Sequence, residues 1–148
     1  MLDLECKMLS QAQLFHGLSK RETQLLAFVG SRVSYLAGET IFEQGAPADA
    51  VYVVLAGEVD LRLQSADGHE VQIARFGKGE SFGEIGVFNE QARFVAVSAH
   101  TDACLLKIPK AEFMQLVRDM PQLSLAVMRD LARRVELLAM RVAELTPH

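Results

Sequence analysis

The chain has 148 residues, half of them hydrophobic, which is enough for one domain with a sizeable core and too few for two ordinary domains. Its net charge of -4 and its isoelectric point near 5.5 exclude the clustered basic surface that nucleic-acid binding normally needs. Cys6 and Cys104 form no disulfide framework or zinc motif, the first residues lack a signal-peptide layout, and no apolar run reaches the length of a membrane span. We therefore expect a cytoplasmic protein with free thiols that contacts neither nucleic acid nor membrane by itself.

The first thirty residues have a helical pattern. Leu14 and Leu18, then Leu25 and Val29, recur near 3.6 spacing, and Ser19 stands three positions before Glu22 as in a capping box. The pattern predicts two short helices within about 8–30.

From about 31 to 108 the sequence consists of short β-branched and aromatic runs that are separated by glycines. The predicted strands are 32–36, 40–42, 51–56, 59–64, 70–76, 94–99 and 103–108. Because these runs follow one another too closely for helical crossovers, the strands should be antiparallel and form a sandwich or barrel.

After Pro109 the pattern returns to helix, over 111–119 and then, beyond the break at Met120-Pro121, over 123–145. The longer helix carries apolar residues at alternating spacings of three and four, which is the a/d seam of a heptad repeat. The seam residues are Met128, Leu131, Val135, Leu138, Val142 and Leu145. Either they pack within one monomer or they form a symmetric dimer, which is the favoured interpretation. A second stripe, Leu123, Val127 and Ala132, is expected to face the protein's own β core, and 146–148 resembles a frayed end.

The segment 79–88, Gly-Glu-Ser-Phe-Gly-Glu-Ile-Gly-Val-Phe, carries the chemistry. A helical turn that starts at Gly83 or Glu84 presents free backbone N–H groups to an anion, and glycine lets a ligand approach the backbone closely. Arg93 could hold a phosphate bidentately, whereas Glu84 would need a hydroxyl or amine donor. Together they suggest a ligand with a phosphate and a hydroxylated sugar. The alternatives are that Glu84 only stabilises its own helix and that Arg93 is a surface residue paired with Glu90.

The same residues belong to a broader resemblance, which covers about 14–140. Leu14-Phe15-His16-Gly17-Leu18-Ser19, the runs 37–45 and 51–59, and Gly79-Glu80-Ser81-Phe82-Gly83-Glu84 resemble the cyclic nucleotide-binding domains of catabolite-activator proteins, cyclic-nucleotide-dependent kinases and gated channels. The resemblance implies a mainly β fold with flanking helices. The fold would be a jelly-roll-like β barrel, or double-stranded β-helix, with N-terminal helices, a short phosphate-cassette helix and a long C-terminal helix.

The resemblance also implies a site and a function. Glu84 would accept the ribose 2′-hydroxyl, Arg93 would pair with the cyclic phosphate, and the backbone at Gly83 and Ile85 would support the sugar-phosphate. The implied ligand-binding set is Phe82, Gly83, Glu84, Ile85, Gly86, Arg93 and Phe94. The chain would be a regulatory sensor with cAMP as its ligand and cGMP as the second candidate. It would dimerise and signal to an output domain or partner that the sequence does not identify, since it carries no recognition helix.

The chain departs from the family pattern at two places. Phe94 stands where relatives carry a small or hydroxylated residue, so the phosphate loses a hydrogen bond, which costs about 1 kcal/mol, and cGMP becomes the less favoured ligand. Leu138 and Ala139 stand where activator-type relatives place Thr and Ser against the adenine. The base would then be covered by Leu138 itself or by Arg134 or Arg141.

The remaining polar residues form no recognisable catalytic or metal site. The four histidines lack metal-ligand spacing, and no serine stands in a nucleophile elbow. We expect a non-enzymatic protein without a metal or cofactor. The alternative to a sensor is a structural dimerisation module with the same fold and no ligand.

Overall fold

The computed structural model describes residues 17–145. The first of the two predicted N-terminal helices, Cys6, His16 and the frayed end at 146–148 lie outside the described residues. Helix α1, Lys20–Val29, begins with the predicted capping box, in which the Glu22 amide donates to the Ser19 side chain and the Ser19 amide donates to the Glu22 carboxylate. Leu26 and Ala27 anchor the helix in the core.

Eight strands form two four-stranded antiparallel sheets. They are β1 (Ser31–Tyr35), β2 (Thr40–Phe42), β3 (Ala50–Ala56), β4 (Val59–Gln64), β5 (Glu70–Phe76), β6 (Ser81–Phe82), β7 (Ala96–Ala99) and β8 (Ala103–Pro109). The strand order is β1-β8-β3-β6 in the first sheet and β2-β7-β4-β5 in the second. The mainly β fold with flanking helices is therefore confirmed.

The structure differs from the predicted strands in two places near the site. β6 was not predicted, because two residues are too short to show an alternating pattern. The strand predicted at 94–99 begins only at Ala96, so the prediction was wrong for Phe94 and Val95. Arg93 and Phe94 consequently lie on the irregular segment that joins a short helix, α2 (Glu84–Asn89), to β7.

The core has two parts that share strand β3. Alternate residues Ala50, Tyr52 and Val54 face the space between the sheets, and Val51, Val53 and Leu55 face the helices. Because both faces of β3 are buried, its sequence is a continuous apolar run rather than an alternating one.

Two helices complete the fold, α3 (Lys110–Asp119) and α4 (Pro121–Leu145). Leu123 and Val127 of α4 are buried against the core as predicted, but Ala132 is exposed, so that part of the prediction was wrong. The inward stripe continues through Asp130 and Arg134 instead, because a period of 3.6 residues returns these positions to the same face. Within 17–145 no helix has the length and apolar character to cross a membrane.

Candidate functional site

A small cavity lies where β6, α2, the segment before β7 and α4 meet. Its volume is about 40 Å³. Its wall contains aromatic and aliphatic side chains from the barrel together with three charged groups, Glu84, Arg93 and Arg134. All seven residues of the predicted ligand-binding set, Phe82, Gly83, Glu84, Ile85, Gly86, Arg93 and Phe94, line this cavity.

Gly83 joins β6 to α2 in a conformation that requires glycine. Its φ of 92° lies in the left-handed region, and a Cβ at this position would lie 2.9 Å from Nη1 of Arg93. Glu84 then begins α2 with its side chain next to the cavity. Because Gly83 has no Cβ, Arg93 can pack directly on the Gly83 backbone.

Glu84 is a buried carboxylate with one partnered oxygen. Only 4% of the residue is exposed. Its Oε1 accepts a hydrogen bond of 2.8 Å from Nη1 of Arg134, whereas Oε2 has no hydrogen-bond partner among the described residues. Burial raises the pKa of Glu84, and the charge of Arg134 opposes that rise. The free oxygen can accept one further hydrogen bond from a donor in the cavity.

Arg93 is folded against the backbone rather than exposed. Its Nη1 donates to the Gly83 carbonyl and its Nη2 to the Ala50 carbonyl, both at 2.6 Å, and its guanidinium lies 4.1 Å from the centre of the Phe42 ring. Its Nε is buried and has no hydrogen-bond partner among the described residues. Desolvation lowers the pKa of Arg93. The alternative interpretation of Arg93 as a surface residue paired with Glu90 was wrong, since only 3% of Arg93 is exposed.

Arg134 brings the long helix α4 into the cavity wall. Besides its bond to Glu84, it donates to the Ser81 carbonyl, and its guanidinium lies 4.7 Å from the centre of the Phe76 ring. Its Nε lies 3.1 Å from Oδ2 of Asp130, one turn earlier on α4. The chain Glu84–Arg134–Asp130 thus connects the cavity to α4 through charged groups.

The other two predicted base-cap residues do not line the cavity. Leu138 is more than half exposed, and Arg141 donates to the Ile73 carbonyl on β5 at 3.0 Å. Sequence reasoning missed Asp130, Ser81, Phe42 and Phe76. The spacing of four between Asp130 and Arg134 was a usable signal, because residues so spaced are neighbours on a helix.

Three buried side-chain atoms around this cavity have neither a hydrogen-bond partner nor an ion-pair partner in the described part of the chain. They are Oγ of Ser81, Oε2 of Glu84 and Nε of Arg93, whereas Nε of Arg134 pairs with Asp130. Buried polar groups are nearly always paired, so the cluster marks a place where a guest can supply the missing partners. A carboxylate acceptor and a guanidinium donor suit a guest that is anionic and also hydroxylated.

A second buried carboxylate provides a contrast on the outer face of the second sheet. Asp60 accepts hydrogen bonds from Arg75 at both oxygens and from Gln72 at Oδ1. Its Oδ2 also lies 3.3 Å from Nδ1 of His100. Arg75 holds the pKa of Asp60 below its ordinary value. No group of three or more potential metal ligands occurs within residues 17–145.

Comparison with protein families gives a match to the model of the cyclic nucleotide-binding domain over residues 32–120. The cyclic AMP receptor protein of Thermus thermophilus is 34% identical over 122 residues, which are 82% of this chain and 56% of the receptor. A lysophospholipase of Aspergillus oryzae, nte1, is also 34% identical, over 125 residues that cover 80% of this chain and 8% of the enzyme. The chain therefore spans only part of these curated relatives.

Solved structures show the same similarity. The catabolite activator protein of Thermus thermophilus superposes with a TM-score of 0.81 at 32% identity, covering 90% of this chain and 63% of the other. The regulatory subunit of a cAMP-independent protein kinase A from Trypanosoma brucei gives a TM-score of 0.79 at 25% identity, covering 91% of this chain and 47% of the other.

Proposed function

This chain belongs to the cyclic nucleotide-binding domain family, and on that basis we propose that it is a cyclic-nucleotide sensor whose ligand is cAMP. The observation that carries the proposal is the pair of unpartnered buried atoms at the cavity, Oε2 of Glu84 and Nε of Arg93. A ribose hydroxyl can donate to Oε2, and a cyclic phosphate can accept from the guanidinium. In this proposal, the ribose contact to Glu84 and the phosphate contact to Arg93 both form at the cavity.

Ligand entry requires the charged groups to exchange partners, because a cavity of about 40 Å³ is far below the ~300–1,000 Å³ of typical ligand pockets. The Arg93 side chain would exchange its bonds to the Gly83 and Ala50 carbonyls for bonds to the phosphate. The Glu84 carboxylate would then divide its two oxygens between the ribose and Arg134.

The contact between Glu84 and Arg134 offers the route from ligand to output. When Glu84 accepts a ribose hydroxyl, the attraction that holds Arg134 weakens, and Arg134 lies on α4 beside Asp130. We propose that the position of α4 responds to this change. Such a response requires that the two positions of α4 differ in their affinity for the nucleotide.

Calorimetric titration of the chain with cAMP and with cGMP tests the sensor proposal. We expect the wild type to bind cAMP more tightly than cGMP, and Arg93→Ala to weaken both, since it removes the phosphate contact. A matched control is Arg32→Ala, which removes an arginine of β1 that does not line the cavity. A wild type that shows neither heat nor thermal stabilisation at millimolar nucleotide contradicts the proposal.

We further propose that the chain dimerises through α4. Met128, Val135 and Leu138 are more than half exposed although they stand at seam positions, and α4 is exposed on every side from 135 to 145. Leu131 is shared, because it also packs against the helix-side core. An exposed apolar seam at heptad spacing is suited to a second copy of the same helix.

Sedimentation of two double variants tests the dimer. Val135→Asp with Leu138→Asp introduces charge into the seam and should produce a monomer. Leu137→Asp with Met140→Asp makes the same chemical change on the same helix outside the seam and should leave a dimer. A monomeric wild type at micromolar concentration contradicts the dimer proposal.

A ligand-free dimerisation module is the second candidate. It is favoured by the engagement of both terminal nitrogens of Arg93 with backbone carbonyls and by the small volume of the cavity. The same two experiments separate the candidates: this one requires a wild-type dimer that binds no cyclic nucleotide.

A further inference from the structure

Phe94 lines the cavity and is also exposed to solvent, which puts it at the mouth of the cavity. Its neighbours Arg93 and Val95 are buried, whereas 46% of Phe94 is exposed. Ile85, on the first turn of α2, is 39% exposed and lines the same cavity. Single exposed apolar residues are common on protein surfaces, so the role of Phe94 must be argued from its surroundings.

The other aromatic rings near the cavity already have partners. The guanidinium of Arg93 covers Phe42, Phe82 stacks on Tyr52 with ring centres 5.2 Å apart, and the guanidinium of Arg134 covers Phe76. Among residues 17–145, Phe94 has no such ring or cation contact. It therefore offers an aromatic face at the cavity mouth that a guest can use.

The positions of the charged groups indicate which part of a nucleotide would reach this face. The cavity wall contains the charged groups that suit a sugar and a phosphate, Glu84, Arg93 and Arg134. Because these groups would hold the sugar and the phosphate, the base is the part of the nucleotide left at the mouth. The apolar side chains of Phe94 and Ile85 line the cavity there, and a planar base buries apolar area when it lies on them.

We propose that Phe94 stacks on the base of the cyclic nucleotide and makes the site selective for purines over pyrimidines. The inference rests on the proposed function and adds to it the residue that contacts the base. Base–aromatic stacking follows from the π-face that every base carries, and the larger purine ring system overlaps the phenyl ring over a greater area. Phe94 departs from the family pattern and removes a hydrogen bond to the phosphate, but it would supply a stacking contact to the base.

The test compares cAMP with cytidine 3′,5′-cyclic monophosphate on three variants by calorimetry. Phe94→Leu retains apolar bulk and removes the ring, Phe94→Tyr retains the ring, and Phe28→Leu makes the same change at an exposed phenylalanine on α1. We expect Phe94→Leu to weaken cAMP roughly 5- to 30-fold and the cytidine nucleotide by less. The preference for the purine should therefore shrink, while Phe94→Tyr and Phe28→Leu behave like the wild type.

The possible results distinguish this inference from the proposed function. If the wild type binds neither nucleotide, the proposed function fails and this inference with it. If the wild type binds cAMP and Phe94→Leu binds it equally well, or loses the same factor for both nucleotides, the sensor proposal survives and the role of Phe94 is contradicted.

Discussion

Two carboxylates of this barrel are almost equally buried but have opposite surroundings. Asp60, on the outer face of β4, is 2% exposed, and Glu84, at the cavity, is 4% exposed. Asp60 accepts hydrogen bonds at both oxygens from groups of the neighbouring strand, and its pKa is lowered. Glu84 has one free oxygen, and burial raises its pKa.

This difference separates a group that stabilises the fold from a group that is available to a ligand. A buried carboxylate whose oxygens are all hydrogen-bonded cannot accept a further bond from a ligand. A buried carboxylate with an unpaired oxygen carries an uncompensated desolvation cost, which a hydrogen bond from a ligand can offset. Low solvent exposure alone does not identify a site, since Asp60 and Glu84 are 2% and 4% exposed. The number of unpaired polar atoms is what distinguishes Glu84 from Asp60.

Removing Asp60 should have the largest effect on stability. Asp60→Ala leaves Arg75 and His100 without their shared carboxylate, although both are about 40% exposed and can be rehydrated. We expect the free energy of unfolding to fall by about 2–3 kcal/mol, measured by urea denaturation. The affinity for cAMP should not change, and a loss of affinity would contradict the division of roles.

Glu84→Gln should lower the affinity for cAMP and leave the stability nearly unchanged, the opposite of Asp60→Ala. The amide is nearly isosteric but presents a neutral group, so the ribose hydroxyl loses a charged acceptor. We expect cAMP affinity to fall by about 10- to 50-fold in calorimetry. The free energy of unfolding should change by less than about 1 kcal/mol, because the desolvation cost of the buried charge is removed together with its bond to Arg134. A large loss of stability with normal affinity would make Glu84 structural.

Much of the fold was predictable from local patterns. The strands at 40–42, 59–64 and 70–76 have the predicted bounds, and the break before Pro121 separates the last two helices as expected. Each of these elements is fixed by its own alternation, turn residues or proline. β6 was missed because its two residues are held by pairing with Tyr52 and Val53, which its own sequence does not encode.

The site was predictable as a motif but not as an arrangement. The residues of the run around Gly83 and Glu84 line one cavity, as expected of residues that are consecutive in the chain. The insertion of Arg134 depends on how α4 crosses the barrel, 50 positions after Glu84 in sequence. Asp60 could not be recognised either, since its position between Val59 and Leu61 is typical of a solvent-facing residue and its burial comes from Arg75 and His100.

The pH dependence of stability should distinguish the two carboxylates by sign. The folded pKa of Asp60 is lowered, so its contribution is present above about pH 4 and is lost as the pH falls through the folded pKa. The folded pKa of Glu84 is raised, so its contribution is present below about pH 4 and is lost as the pH rises through the folded pKa.

Urea denaturation of Asp60→Asn and Glu84→Gln between about pH 3 and 7 checks these signs. Relative to the wild type, Asp60→Asn should lose less stability on acidification, and Glu84→Gln should lose less as the pH rises. Two variants with the same pH profile would contradict the contrast between the carboxylates.

The smallest predicted effect concerns the end of α2, the helix that begins at Glu84. Glu90 closes this helix at φ 53° and ψ 41°, in the left-handed region that favours glycine. Glu90→Gly should remove the strain of the Cβ, and after the greater entropy of glycine in the unfolded chain is subtracted, stability should rise by about 0.5–1 kcal/mol. The corresponding increase in Tm is about 1.5–3 °C. Glu90→Ala removes the same charge but retains the Cβ, so it should gain nothing. Equal melting temperatures for the two variants would attribute the effect to charge rather than to backbone strain. If only Glu90→Gly gains stability, the end of α2 would join its first residue, the half-satisfied Glu84, as a second feature that is not optimised for stability.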